Sequence, residues 1–281
     1  MMKRVSIFSF LLFALLFAGA RQTRAVETGF LKRTVTIGAK TYGYRVYIPE
    51  NFDAKKKYPV VLYLHGSKHW GDDNEGQLQF TGLAPVIKAG LRLEPEPYTS
   101  FIAVFPQSSN ETPWVGEMIE QAVKALDQTV AEFKADPERL YVTGFSLGGY
   151  GSWYAAARYP GKFAAIVPVG GNISVPERFL PLIKRLVPPD MLALYLAADP
   201  HAAFLKATGQ TPVWIFHGGE DGNVPVADAR KTVEALKAAK RNVHYTEYSG
   251  DGHFVTEKAY TEPGFWKWLL AQKLQQQVSH R

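Results

Sequence analysis

Apolar positions recur along this chain in two rhythms, one of runs and one of stripes. Residues 60–64 form a continuous apolar run that ends at His65-Gly66, the signature of a strand buried on both faces of a parallel sheet. Segments 101–106, 140–143, 164–169 and 213–216 repeat the run, and 243–248 adds a last strand of more alternating character. Ahead of these, 31–37 and 41–48 alternate β-branched or aromatic residues with polar ones around Gly38-Ala39-Lys40, which predicts an antiparallel hairpin. Between strands the period lengthens. Ile119, Val123, Leu126, Val130 and Phe133 share one face of a helix predicted over 117–135, which stops before Asp136-Pro137. Shorter helices are expected at 81–89, 148–159, 227–239 and 265–275. Strands alternating with helices predict an α/β fold: a mostly parallel central sheet with helices on both faces and an N-terminal antiparallel hairpin.

Two stretches interrupt that alternation. Between the strands ending at Val169 and starting at Val213, segment 172–212 is longer than a crossover helix requires and contains Pro176, Pro181, Pro188, Pro189 and Pro200. It predicts a helical insertion built of two short helices, 179–187 and 191–198, read either as a cap over a site or as a packed structural excursion. At the other stretch, Met1-Met2-Lys3-Arg4 precedes the apolar run 5–20 and small residues Ala18-Gly19-Ala20. This pattern predicts a signal peptide over 1–20, cut after Ala20 or, as second choice, after Ala25. The run is short for a membrane span and carries Ser6 and Ser9, so removal is expected rather than a lasting membrane anchor. The expectation is an exported protein, periplasmic or secreted, with one domain over 26–281.

Composition narrows the chemistry. With 46% hydrophobic and 21% charged residues, the 281-residue chain has the make-up of a packed globular protein, not of a disordered or coiled-coil one. Its formal charge of +6 is scattered, and the densest basic run, Lys55 to Lys57, reads as a solvated turn, so no nucleic-acid partner is expected. The absence of cysteine excludes disulfides, a thiolate nucleophile and cysteine-ligated metal. Any nucleophile must be an oxygen or an amine.

Gly144-Phe145-Ser146-Leu147-Gly148 supplies the oxygen, since it is a G-x-S-x-G set between an apolar strand and a helix. Glycine on either side lets strand and helix approach without a Cβ clash, and the turn places the Leu147 N–H at a helix start, where a developing negative oxygen is favoured. A serine hydroxyl is a poor nucleophile, so a base must take its proton and a carboxylate must orient that base. Downstream, Asp221 lies in the glycine-rich loop His217-Gly218-Gly219-Glu220-Asp221-Gly222, and His253 ends the loop Gly250-Asp251-Gly252. Glu220 and Asp251 are the competing acids. The remaining histidines sit at strand ends, within a strand, in the insertion or in the tail, and His69 beside Asp72 and Asp73 lacks a second histidine at ligand spacing, so no metal is expected.

In this order of serine, aspartate and histidine the chain resembles the α/β-hydrolase superfamily. More narrowly it resembles secreted esterases grouped with polyhydroxyalkanoate depolymerases, feruloyl and acetylxylan esterases, and phospholipase/carboxylesterase proteins. His65-Gly66 followed by Gly71-Asp72-Asp73-Asn74, then Phe105-Pro106-Gln107 with Trp114, then Gly144 to Gly149, then His217 to Pro225 carry the resemblance. The long 172–212 segment departs from that group. The resemblance implies Ser146 as nucleophile, His253 as base and Asp221 as its orienter. It also implies an oxyanion hole from the Leu147 N–H and a donor after His65-Gly66, assigned to Ser67 with Gly66 and Lys68 as alternatives. It implies no cofactor.

Trp70 and Trp114, in loops after strands on the catalytic edge, are expected to line the substrate pocket. The predicted function is hydrolysis of a small-molecule or polymeric ester through an acyl-enzyme. A prolyl-oligopeptidase-type peptidase is the first rival, disfavoured because residues 30–143 read as sheet strands and helices rather than a propeller. A non-catalytic binding module on the same fold is the second. Oligomeric state is not legible.

Overall fold

A computed structural model describes residues 26–91, 100–109 and 111–274. The expected signal segment and cleavage sites lie outside the described residues. Eight strands form one sheet in the order β1-β2-β4-β3-β5-β6-β7-β8. They are β1 (Gly29–Ile37), β2 (Lys40–Ile48), β3 (Val60–Leu64), β4 (Ile102–Pro106), β5 (Leu140–Phe145), β6 (Ala165–Val169), β7 (Val213–Gly218) and β8 (Val243–Tyr248). β1 pairs with β2 and β2 with β4 antiparallel, and the remaining pairings are parallel. The α/β-hydrolase architecture expected from the sequence, with its N-terminal hairpin, is the one observed.

Alternation along each central strand divides the interior into two layers. From β3, Val60, Leu62 and Leu64 face one core, which is completed by α2 (Glu117–Phe133), α3 (Leu147–Arg158) and α7 (Val226–Ala238). Val61 and Tyr63 face the other, covered by α1 (Leu83–Lys88), α8 (Thr256–Thr261) and α9 (Phe265–Ala271). All five residues of β3, β4 and β6 are buried, which is why these strands read as unbroken apolar runs. α8 escaped the sequence reading because Thr256–Thr261 has no apolar stripe. It is held by burial of Ala259 and Tyr260, and Tyr260 hydrogen-bonds the Thr143 hydroxyl at 2.9 Å.

The insertion holds three helices where two were expected: α4 (Leu180–Leu186), α5 (Pro189–Tyr195) and α6 (Pro200–Thr208). Pro200 reads as a breaker, yet at the first turn of a helix its missing N–H costs nothing, and Asp199 caps α6 by accepting from the Ala202 N–H. Much of the insertion packs sideways. Tyr195 stacks on Tyr154 of α3 and meets buried Phe204 edge-on, and His201 reaches Asp228 of α7 at 3.0 Å.

Sheet order fixes where chemistry can gather. β4 lies on one side of β3 and β5 on the other, so the chain reverses its direction of travel across the sheet there, and a crevice opens beyond the carboxyl ends of these strands.

Candidate active site

Ser146 follows β5 at that crevice and forms the N-cap of α3 with φ 54° and ψ −115°, a left-handed conformation that a residue with a Cβ adopts at a cost of about 1–3 kcal/mol. The turn is pinned by the Ser146 N–H donating to the Val169 carbonyl at 2.8 Å, and by the Ser146 carbonyl accepting from Gly149 and Tyr150. Its flanking glycines are required by contact. A Cβ on Gly148 would lie 1.8 Å from the Leu64 carbonyl oxygen, and one on Gly144 would lie 2.4 Å from the carbonyl of Gly148. Neither obstacle is a flexible side chain. Gly148→Ala is therefore expected to lose about 3 kcal/mol or more of stability, read as a lowered denaturant midpoint with an unchanged slope. A midpoint within error of the parent would mean that α3 does not approach β3 as described.

Loops after two further strands bring the other groups. β7 leads to Asp221 and β8 leads to His253. His253 Nε2 is 2.9 Å from Ser146 Oγ, and Nδ1 is 2.7 Å from Asp221 Oδ2. A carboxylate only accepts, so Nδ1 carries the proton, and Nε2 is left free to accept from the serine hydroxyl. The Asp221 side chain is fully buried. Burial pushes its carboxyl pKa up, but His217, His253 and the N–H groups of Val224 and Asn223 together outweigh burial and hold it below the ordinary range. Oδ1 accepts both N–H groups at 2.9 Å. His217 Nε2 must be protonated, because it lies 2.9 Å from the Val224 carbonyl, and it also stands 3.4 Å from Asp221 Oδ2. The ring of Phe145 packs on that of His253 with centroids 4.8 Å apart.

The competing acids lie elsewhere. Glu220 is exposed, and Asp251 pairs with Lys258 at 2.5 Å. As the first residue of α3, Leu147 has an N–H with no partner inside the helix. Across the crevice, Ser67 and Lys68 open a one-turn helix, Ser67–His69, and both border the cleft. That loop is braced from behind. His65 Nδ1 donates to the Gly66 carbonyl, its Nε2 accepts from the Ser108 N–H, and Asp73 Oδ1 accepts from Glu75, Gly76 and Gln107.

His65 is fully buried, and burial pushes its pKa down to about 3, with the Gly66 carbonyl acting in the opposite direction. Its unfolded value, about 6.5, is higher. Below that value the unfolded chain binds the extra proton and the folded chain does not, so stability falls as pH falls from about 6.5 toward 3. The expected slope is at most about 1.4 kcal/mol per pH unit from this group, measured by urea unfolding between pH 7 and 4. His65→Gln should decline less steeply. Equal slopes would remove the imidazole from the account.

Ser146 and His253 open onto a cleft of about 810 Å³ walled by Trp70, Phe80, Tyr150, Phe179 and Phe254. Trp70 stands on this wall, with its Nε1 donating to the Thr112 carbonyl. Trp114 does not, which corrects the expectation that it lines the pocket. Its indole is 1% exposed and donates to the His65 carbonyl, and it borders only a void of about 30 Å³ behind Leu147 and Tyr150. A loop position suggested access, but Gly151 allows the ring to pack inward against α3.

Tyr150, Phe179 and Phe254 went unnoticed in the sequence. Tyr150 lies one helical turn after Ser146 and Phe254 directly follows His253, so spacing alone marks both. Phe179 comes from the insertion, as do Pro176 and Arg178, and no local pattern places them at the cleft.

A profile of the prolyl oligopeptidase family matches residues 108–272, a stretch that contains Ser146, Asp221 and His253. Among curated proteins, an "Uncharacterized secreted protein" of Arthroderma benhamiae is 27% identical over 223 residues, 73% of this chain and 22% of that one. "Putative esterase NocK" of Nocardia uniformis is 27% identical over 213 residues, 73% of this chain and 58% of that one. This chain thus spans less than two thirds of either relative's length. A solved structure described as a thermostable esterase superposes with a TM-score of 0.68 at 24% identity, over 87% of this chain and 63% of that one, a likeness of fold.

Proposed function

The chain belongs to the prolyl oligopeptidase family, and on that premise we propose that it is an exported serine hydrolase that cleaves carboxylic esters through an acyl-enzyme on Ser146. The observation that supports this reading most directly is the unbroken line of hydrogen bonds from Ser146 Oγ through the His253 imidazole to Asp221. In this mechanism Oγ attacks the acyl carbon while its proton passes to His253 Nε2. The N–H groups of Leu147 and Ser67 receive the charge that develops on the carbonyl oxygen. Collapse expels the alcohol, which takes the proton back from His253. Water then repeats the sequence, with His253 as base, and releases the acid. Asp221 stays ionised throughout and stabilises the imidazolium. Export is supported by the leader-like N-terminus and by the description of the Arthroderma relative.

The family name favours a second reading, cleavage of peptides. Removing residues from the amino end of a peptide requires carboxylates to receive its ammonium group. Among the described residues, none that lines the cleft is an aspartate or glutamate. This tells against cleavage from a free amino end, and the name of the Nocardia relative favours esters. Purified protein is expected to turn over p-nitrophenyl acetate and butyrate while leaving dipeptide p-nitroanilides intact. Preferential turnover of the anilides would reverse the assignment.

A further inference from the structure

Two cations face the cleft without an anionic partner. Lys68 comes from the loop after β3 and Arg178 from the insertion, so they approach the nucleophile from separate parts of the fold. Elsewhere Arg33, Arg45, Arg139 and Arg230 each bind a carboxylate, whereas Arg158 lies against the Tyr159 ring and Arg241 donates to backbone carbonyls and the Thr208 hydroxyl. The contacts recorded for Lys68 and Arg178 are with aromatic faces instead, Lys68 Nζ 5.2 Å from the Phe254 ring and Arg178 Cζ 5.0 Å from that of Phe179. Neither has an ion-pair partner among the described residues. Tyr150 stands on the same wall, its hydroxyl without a hydrogen-bond partner among the described residues. Burial pushes that hydroxyl's pKa up, the Asp228 and Asp221 carboxylates add to the rise and Arg178 opposes it, so it remains a proton donor at neutral pH.

We propose that the cleft selects esters that carry a carboxylate on the chain leading away from the scissile bond, with Arg178 as the anchoring cation and Tyr150 and Lys68 as further donors. The identification of the scissile group as an ester rests on the function proposed above, whereas the anion site stands on the charges themselves. Guanidinium presents parallel N–H donors that match a carboxylate, and the exposed Arg178 lies against the Phe179 face, which leaves those donors open to a ligand. The aromatic walls would receive the apolar part of such a chain. Among the described residues that line the cleft there are cations and no carboxylates, so a neutral ester gains only the apolar contacts, while a cationic one is repelled.

Monoethyl adipate and diethyl adipate separate these contributions: they share the diacid chain, one carries a free carboxylate where the other carries a second ethyl ester, and rates are compared per scissile ester group. Wild-type protein is expected to hydrolyse the monoanion with about tenfold higher kcat/KM, expressed mainly in KM, and the preference should shrink as salt is raised from about 20 to 500 mM. In Arg178→Gln the ratio should fall to about 1–2. Binding is measured separately by calorimetric titration of Ser146→Ala protein, with and without Arg178→Gln. Equal kcat/KM for the two esters in the wild type would overturn the anion site and leave the ester reading intact, as would a ratio that Arg178→Gln does not change. Arg178-dependent binding of the monoanion with neither ester hydrolysed by the wild type would overturn the ester reading and support the anion site.

Discussion

Ser146→Ala is expected to lower kcat/KM for p-nitrophenyl butyrate by about 10⁴-fold or more, and to abolish covalent labelling by a fluorophosphonate. The size of the loss follows from what the hydroxyl does. Without Oγ no acyl-enzyme forms, so the only route left is attack by water held near His253 and the oxyanion donors, which accounts for a small residue of rate. The substitution removes one atom at a turn held by backbone hydrogen bonds, so the denaturation midpoint should stay close to that of the parent. A variant that folds normally and retains more than about a tenth of the parental rate would remove Ser146 from the mechanism.

Asp221→Asn should lower kcat/KM by about 10³- to 10⁴-fold, mostly in kcat. The asparagine carbonyl can still accept the Val224 and Asn223 N–H groups that Oδ1 now receives, which leaves the amide NH₂ facing His253 Nδ1. Nδ1 must then accept rather than donate, the proton moves to Nε2, and the imidazole can no longer take the serine's proton. A second signature lies in stability. The folded carboxyl titrates below its ordinary value of 3.8, so its stabilising contribution is complete above about pH 4 and is lost as pH falls through the folded value. The gap in unfolding free energy between parent and variant should therefore be widest near neutrality and narrow below pH 4. A gap independent of pH would mean that the carboxylate is not bound as described. Loss of activity with an unchanged pH–rate profile in the residual reaction would argue against the tautomer account.

Legibility in the sequence followed the range of the forces involved. Central strands were legible because burial on both faces leaves no polar position in the run, as β3, β4 and β6 show. Helix α2 was legible from its apolar stripe. Helices α6 and α8 were missed because each is stabilised by something other than its own periodicity: a proline that starts a helix in the first case, and contacts with the β5 side chain of Thr143 in the second. The Ser146 turn was legible because backbone contact excludes any Cβ at Gly144 and Gly148, and such a demand is written in the residues themselves. Trp114 was misread since nothing local distinguishes an aromatic ring that enters a cleft from one that turns beneath it.

By itself the sequence determined the strand and helix rhythm, the glycine-flanked serine, and the order in which serine, aspartate and histidine occur, because each depends on residues adjacent in the chain or on the steric needs of one turn. Only the tertiary structure decided that Asp221, rather than Glu220 or Asp251, sits behind the imidazole, that Trp70 and not Trp114 faces the cleft, and that Arg178 and Lys68 line the same cleft as Ser146. Those outcomes depend on the parallel register of β3, β5, β7 and β8, which brings the ends of distant segments to one rim of the sheet. Hydrogen bonds and charge pairing act over a few ångströms, and separation along the chain carries no information about which groups will come that close.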